Sequence, residues 1–86
     1  MYPQAQETVA FNVRMRRLEL GYSQEDFAQT AGIERSRYGR IERGEMNLTL
    51  QSLFALAEHL DIDPARLFDD VTIDDLRDGR QILASE

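Results

Sequence analysis

Residues 23–44 read SQEDFAQTAGIERSRYGRIERG, and this stretch decides the fold. Ser23 is an N-cap residue, and Asp26 three positions on completes a capping-box pattern that opens a helix. Phe27, Ala28 and Ala31 fall on its inward face, where the small Ala28 lets a second helix approach closely. Gly32 supplies the positive φ that a sharp turn needs. Ile33 plugs the turn, and the next helix runs from about Arg35 to Arg43, stopped by Gly44. Four arginines lie within its nine residues: Arg35, Arg37, Arg40 and Arg43.

The arginines are sorted away from the core. At about 100° per residue with Arg35 at zero, Gly39 lies near 40°, Arg43 near 80°, Ser36 near 100° and Arg40 near 140°. Ile41 and Tyr38 fall on the opposite, buried side. Arg37 sits on the flank, and Glu42 borders the buried side. Cap, helix, glycine turn and sorted second helix together form the layout of a helix-turn-helix whose second helix enters the DNA major groove. Arginine bonds guanine O6 and N7 with two parallel hydrogen bonds. Arg35, Ser36 and Arg40 are therefore the candidate base readers. Arg43, near the helix end, suits phosphate, and Arg37 and Asn47 join it as candidate backbone contacts. Glycine inside a helix costs about 1 kcal/mol relative to alanine. Gly39 is either a tolerated surface position or a place where the backbone approaches DNA.

Working outward, Thr8 is positioned to cap a first helix ending near Leu20, with residues 1–7 as a flexible arm. Val9, Ala10, Val13, Arg17 and Leu20 share one face of it. Phe11, Met15 and Leu18 form a second stripe on the far side, which either the C-terminal tail or another subunit must cover. Thr49 caps a fourth helix to about Leu60, with Leu50, Leu53, Ala57 and Leu60 as its core stripe, widened by Phe54 and Leu56. Asp63 and Pro64 start a fifth, about 64–68, that buries Leu67 and Phe68. Thr72 and Asp75 make a further capping box, and Ile73, Leu76 and Leu83 near one face admit a sixth helix in the acidic tail 69–86. The fold expected is all-α: a five-helix DNA-binding domain over 8–68 with a short acidic extension.

Composition sets the limits. Eighty-six residues without cysteine make one small domain with no disulfide framework and no thiolate metal site. No apolar run is long enough to span a bilayer and no secretion signal opens the chain, which reads as a cytoplasmic protein. The net charge of −6 is unevenly spread. Residues 1–50 balance seven arginines against seven acids, whereas residues 51–86 set three arginines against nine acids. An acidic back half is compatible with a basic front, because charges are screened over about 8 Å at physiological salt. All ten cationic residues are arginine. That suits bidentate recognition, and biased base composition of a genome produces the same pattern. Catalysis has little support: His59, the one histidine, stands beside Glu58 with no cysteine or serine partner in a recognisable arrangement. The tail aspartates do not match a calcium loop, and no glycine loop cradles phosphate. No cofactor or metal is expected.

The segments RRLELGYSQEDFAQTAGI and YGRIERGEMNLTLQSLFALAEHLDIDPARLF resemble the lambda-repressor/Cro-like helix-turn-helix family, also called the XRE family, over about residues 9–68. The resemblance implies five helices around the motif. It implies that Gln24 touches phosphate and braces the recognition helix, that Arg35, Ser36 and Arg40 read bases, and that Arg17 and Glu42 form an internal ion pair. Glu34, just before the recognition helix, departs from the pattern: it accepts from cytosine N4, holds Arg35 or Arg37, or is repelled by phosphate. Size and the NLTLQSL loop are similar to the small controller proteins of restriction-modification systems, which implies a homodimer on paired, pseudo-palindromic half-sites of double-stranded DNA. The expected function is a sequence-specific transcriptional regulator. The alternative is an antitoxin or adaptor module whose acidic tail binds a partner protein.

Overall fold

A computed structural model describes residues 2–79. Four α-helices occupy Pro3–Glu19 (α1), Gln24–Ala31 (α2), Arg35–Glu42 (α3) and Leu50–His59 (α4). Two 3₁₀ segments follow, Pro64–Phe68 and Ile73–Gly79, and no strand occurs among the described residues. The expected fifth helix is thus a 3₁₀ turn. Its bonds close over three residues, as from the Arg66 amide to the Asp63 carbonyl at 2.9 Å, the bonding common in short connecting turns. Proline opens it, but the Asp63 side chain makes no capping bond.

The first helix begins five residues before the expected Thr8 cap, so residues 3–7 are its opening turn and not an arm. Pro3 stands at its start, where a missing N–H costs nothing. Ala5 is buried, and Gln6 Nε2 donates to the Met46 carbonyl at 3.3 Å, which holds this turn against the loop after α3. A Cβ on Gly44 would stand 3.4 Å from Glu7 Cα, so glycine both adopts φ +73° and admits the neighbouring backbone. The Thr8 hydroxyl donates back to the Gln4 carbonyl instead of capping.

The motif itself forms as its sequence dictates. Ser23 Oγ accepts from the Asp26 amide at 3.0 Å, Gly32 takes φ +70°, and the Ile33 amide donates to the Ala28 carbonyl at 2.8 Å. Thr49 Oγ1 accepts from the Ser52 amide at 3.1 Å and opens α4. The core joins Val13 of α1, Phe27 and Ala28 of α2, Tyr38 and Ile41 of α3, Leu56, Ala57 and Leu60 of α4 and Leu67. Phe27 and Tyr38 pack ring to ring at 5.1 Å. Side chains of α1 tie down the far end of the domain. Arg16 donates to the Leu60 and Asp61 carbonyls at 2.9 and 2.8 Å, satisfying the last turn of α4. Asn12 bonds the Leu67 and Asp69 carbonyls.

Several apolar side chains expected inside are exposed. Leu50, 67% exposed, and Phe54 stand on the solvent side of α4, because Leu53, Leu56, Ala57 and Leu60 fill the facing stripe. Leu20 and Phe68 are also exposed, each at the end of its element. The sixth-helix region is the second 3₁₀ segment. Its capping box survives in one bond, from the Thr72 amide to Asp75 Oδ2 at 2.9 Å, while Leu83 lies outside the described residues. Val71 and Leu76 line the same cavity as Ala5 and Val9, so this segment packs on the core side of α1. Phe11, 57% exposed, with Met15 and Leu18 therefore stays uncovered by the described residues.

One ionic cluster joins three helices. Arg17 of α1 meets Glu42 of α3 through Nε–Oε2 at 2.6 Å and Nη2–Oε1 at 3.1 Å, with the two side chains 7% and 2% exposed. The third nitrogen of Arg17 donates to the Tyr22 carbonyl at 2.7 Å. Gln24 Nε2 of α2 donates to Glu42 Oε1 at 2.9 Å, and the Tyr38 hydroxyl donates to Oε2. Burial alone would raise the Glu42 carboxyl, but the bonds from Arg17, Tyr38 and Gln24 outweigh it and hold the group below its ordinary 4.5. Burial pushes the Tyr38 hydroxyl up, and its bond to Glu42 adds to this, so it remains a donor.

Removing one partner leaves the other charge buried, so Arg17→Ala should cost about 3–5 kcal/mol in urea unfolding at pH 7. Because the Glu42 carboxyl is depressed, its stabilisation is complete above its ordinary 4.5 and is lost as pH falls through its lower folded value. Glu42→Gln should therefore flatten the stability–pH slope in that window. An unchanged slope would contradict this account.

Candidate nucleic-acid interface

The position of α3 follows from its buried side. Tyr38 and Ile41 are in the core, Glu42 is anchored to α1 and α2, and Gly32 and Ile33 set the turn from α2. What remains outward is Arg35, Ser36, Arg37 and Arg40, all exposed. Among the described residues Arg35, Arg37 and Arg40 form no ion pair, although Arg40 is near enough to Glu45 to help lower its carboxyl. A short helix thus presents three arginines with no carboxylate bonded to them. Such a face attracts polyanions and offers forked donors to base edges.

The other sequence-derived positions divide into groups. Gln24 is half-buried and spends its amide nitrogen on Glu42, which braces α3 against α2. Ser36 Oγ donates to Glu34 Oε1, so the acid before the helix holds Ser36 and neither neighbouring arginine. Arg43 is clasped by Glu45, through Nε–Oε2 at 3.0 Å and Nη2–Oε1 at 3.3 Å. The bond from Arg43 holds the Glu45 carboxyl below its usual range. Asn47 is exposed on the loop between α3 and α4, beside a cavity of about 380 Å³ lined by Gln6, Met46 and Leu48.

Gly39 departs from its expected setting. It is buried, and not bare on the groove face. A Cβ there would lie 3.1 Å from Arg43 Nη1 and 4.0 Å from Gln24 Oε1, so the Arg43 side chain folds back over it. The projection gave the right direction for both residues but not the reach of a long side chain toward its helix N-terminus. Glu45 and the Tyr38 hydroxyl are the participants that sequence reasoning missed. An acid two residues beyond Arg43 was the available signal for the first; nothing in the pattern distinguished the Tyr38 hydroxyl from an ordinary core ring.

Among the described residues no group of His, Asp or Glu is arranged to hold a metal ion, and no helix is long and apolar enough to cross a membrane.

Comparison with known proteins is consistent with this geometry. The helix-turn-helix family profile matches residues 13–67. Control protein C.SmaI of Serratia marcescens is 39% identical over 61 residues, which span 71% of this chain and 73% of that protein. The crystal structure of the restriction-modification controller protein C.AhdI from Aeromonas hydrophila superposes with a TM-score of 0.68 at 38% identity, covering 73% of this chain and 96% of that one. The hypothetical transcription factor NHTF from Neisseria superposes at 0.70 with 28% identity, covering 74% of each chain.

Gly39→Ala provides a direct check on the covered glycine. Alanine favours the helix by up to about 1 kcal/mol, and the opposing group is the far end of an exposed arginine that yields by a few tenths of an ångström. The expected outcome is a small net rise in thermal stability. A clear loss would mean that Arg43 is held too rigidly to move.

Proposed function

The chain belongs to the helix-turn-helix family, and from that premise we propose that it is a sequence-specific transcriptional regulator that lays α3 in the major groove of an operator. The carrying observation is the exposed arginine face of α3, backed by a buried ionic anchor that fixes its direction. Arg35 at the first helical position and Arg40 further along the face are the base readers of this proposal. Ser36 joins them once DNA competes with Glu34 for its hydroxyl. Arg37 and Asn47 make backbone contacts, and Gln24 adds one through the second hydrogen of its Nε2, the first being donated to Glu42. The similarity to control and controller proteins supports the regulator reading.

The proposed assembly is a homodimer on a pseudo-palindromic operator. Its support is the exposed stripe Phe11, Met15 and Leu18, which the described part of the tail leaves uncovered. Two subunits related by a two-fold axis match two half-sites about one helical turn apart.

The test is titration of the DNA upstream of the chain's own gene, beside a scrambled duplex, across a salt series. Preference for the upstream DNA, filled in steps of two subunits, is the expected result. Arg35→Ala and Arg40→Ala should melt like the unaltered chain yet lose sequence preference. Equal weakening on every duplex would reassign both residues to phosphate. Sedimentation as a monomer at tens of micromolar, with and without DNA, would remove the dimer.

A further inference from the structure

Arg43 is the C-cap residue of α3, where a cation ordinarily serves a phosphate or the helix terminus. Its guanidinium is elsewhere. Side chains on a helix lean toward the N-terminus, and Arg43 follows this rule back across one turn, so that Nη1 lies over Gly39. Any larger residue at 39 would occupy part of that seat. In projection Gly39 lies between Arg35 and Ser36, at about 40° from the first of them. The charged group of Arg43 is therefore delivered to the middle of the outward face, among the base readers.

Glu45 decides what that group is suited to meet. It takes Nε and Nη2 of Arg43 in a fork. A guanidinium has five N–H donors, so donors on Nη1 and Nη2 remain for a ligand. A phosphate approaching them meets the Glu45 carboxylate as well, and like charges repel. The major-groove edge of guanine offers two acceptors, O6 and N7, without net charge. An arginine with a carboxylate at its back is thus biased toward a base and away from the backbone. Arg35 and Arg37, which have no carboxylate bonded to them, carry no such bias. Holding the side chain in place also reduces the rotamer freedom lost on binding.

We propose that Arg43 is a specificity-determining residue that reads a guanine, with Gly39 as its seat and Glu45 as the positioning residue that aims it. This inference rests on the reading that α3 enters the major groove.

The experiment selects preferred duplexes from a random pool with the full chain. It then measures affinity for the selected duplex and for every single base-pair change in it, at several salt concentrations. Arg43→Ala should lower the preference for guanine at one position by about tenfold, leaving the other positions unaltered. Arg43→Lys keeps the charge but loses the fork, and should fail to restore that preference. Glu45→Gln should relax the same position, and should add nothing in the Arg43→Ala background. Thermal melting of each variant separates these effects from unfolding. If Arg43→Ala instead weakens all duplexes equally and reduces the salt slope by about one, Arg43 contacts phosphate and the inference falls; if Arg43→Lys restores the preference, the fork to Glu45 does not aim the residue and that part of the inference falls. An unaltered chain that shows no sequence preference at all would remove the groove reading and this inference with it.

Discussion

The buried carboxylate of Glu42 is the constraint on which the rest of the domain depends. A charge at that depth is tolerable only if its lone pairs are filled. Arg17, Gln24 and Tyr38 fill them from three helices at once. Tyr38 donates from within α3, but the bonds from Arg17 and Gln24 form only when α1 and α2 are in register with α3. Apolar packing alone brings these helices together but leaves their rotation loosely specified, because many hydrophobic arrangements have similar energy. The cluster selects one rotation. It is also what aims α3: with Glu42 held inward, the opposite side of an eight-residue helix has to face out, and that side carries Ser36, Arg37 and Arg40, while Arg35 is exposed at the first turn.

The same pairing explains how an acidic protein presents a basic face. Seven acids balance seven arginines in residues 1–50, but two of those charges, Arg17 and Glu42, cancel inside the protein. Glu45 is spent on Arg43, and Glu34 is turned toward Ser36. The described acids of residues 51–79 lie outside the motif helices α2 and α3, and Arg66 and Arg77 pair with acids there. Local field, and not net charge, is what a ligand within a screening length experiences.

Much of this was legible in the sequence because it is written in local rules. Ser23, Gly32, Thr49 and Gly44 mark helix ends through capping chemistry that acts over four residues, and the structure uses each of them. The inward placement of Arg17 and Glu42 followed from helical projection together with the family resemblance. What escaped was set by tertiary packing. The early start of α1 depends on Ala5 and Gln6 meeting the loop at Gly44 and Met46, forty residues away. Leu50 and Phe54 are as apolar as Leu53 and Leu56, and only the placement of neighbouring elements decides which pair is covered. Arg16 and Asn12 cap carbonyls more than forty residues distant, which no local pattern encodes. At the candidate site, projection located Gly39 and Arg43 on one face but gave no account of a side chain folding back onto a glycine.

Few cations per subunit have a consequence for how such a domain must work. Non-specific affinity grows with the number of phosphates neutralised. Here the arginine that caps α3, Arg43, is tied to a carboxylate, which leaves Arg35, Arg37 and Arg40 as the outward arginines of α3 without a bonded acid. A single subunit on DNA would thus bind weakly and dissociate with modest salt. Placing two subunits on one duplex turns the second contact into an intramolecular event and multiplies affinity without a new type of bond. Weak single contacts joined in this way discriminate well, because a mismatch in either half-site is felt by the whole complex while random DNA gains little. In the proposed homodimer, the exposed stripe of Phe11, Met15 and Leu18 and the restrained charge of the α3 face would serve one design: low attraction for any DNA, and strength only where two copies are matched at once.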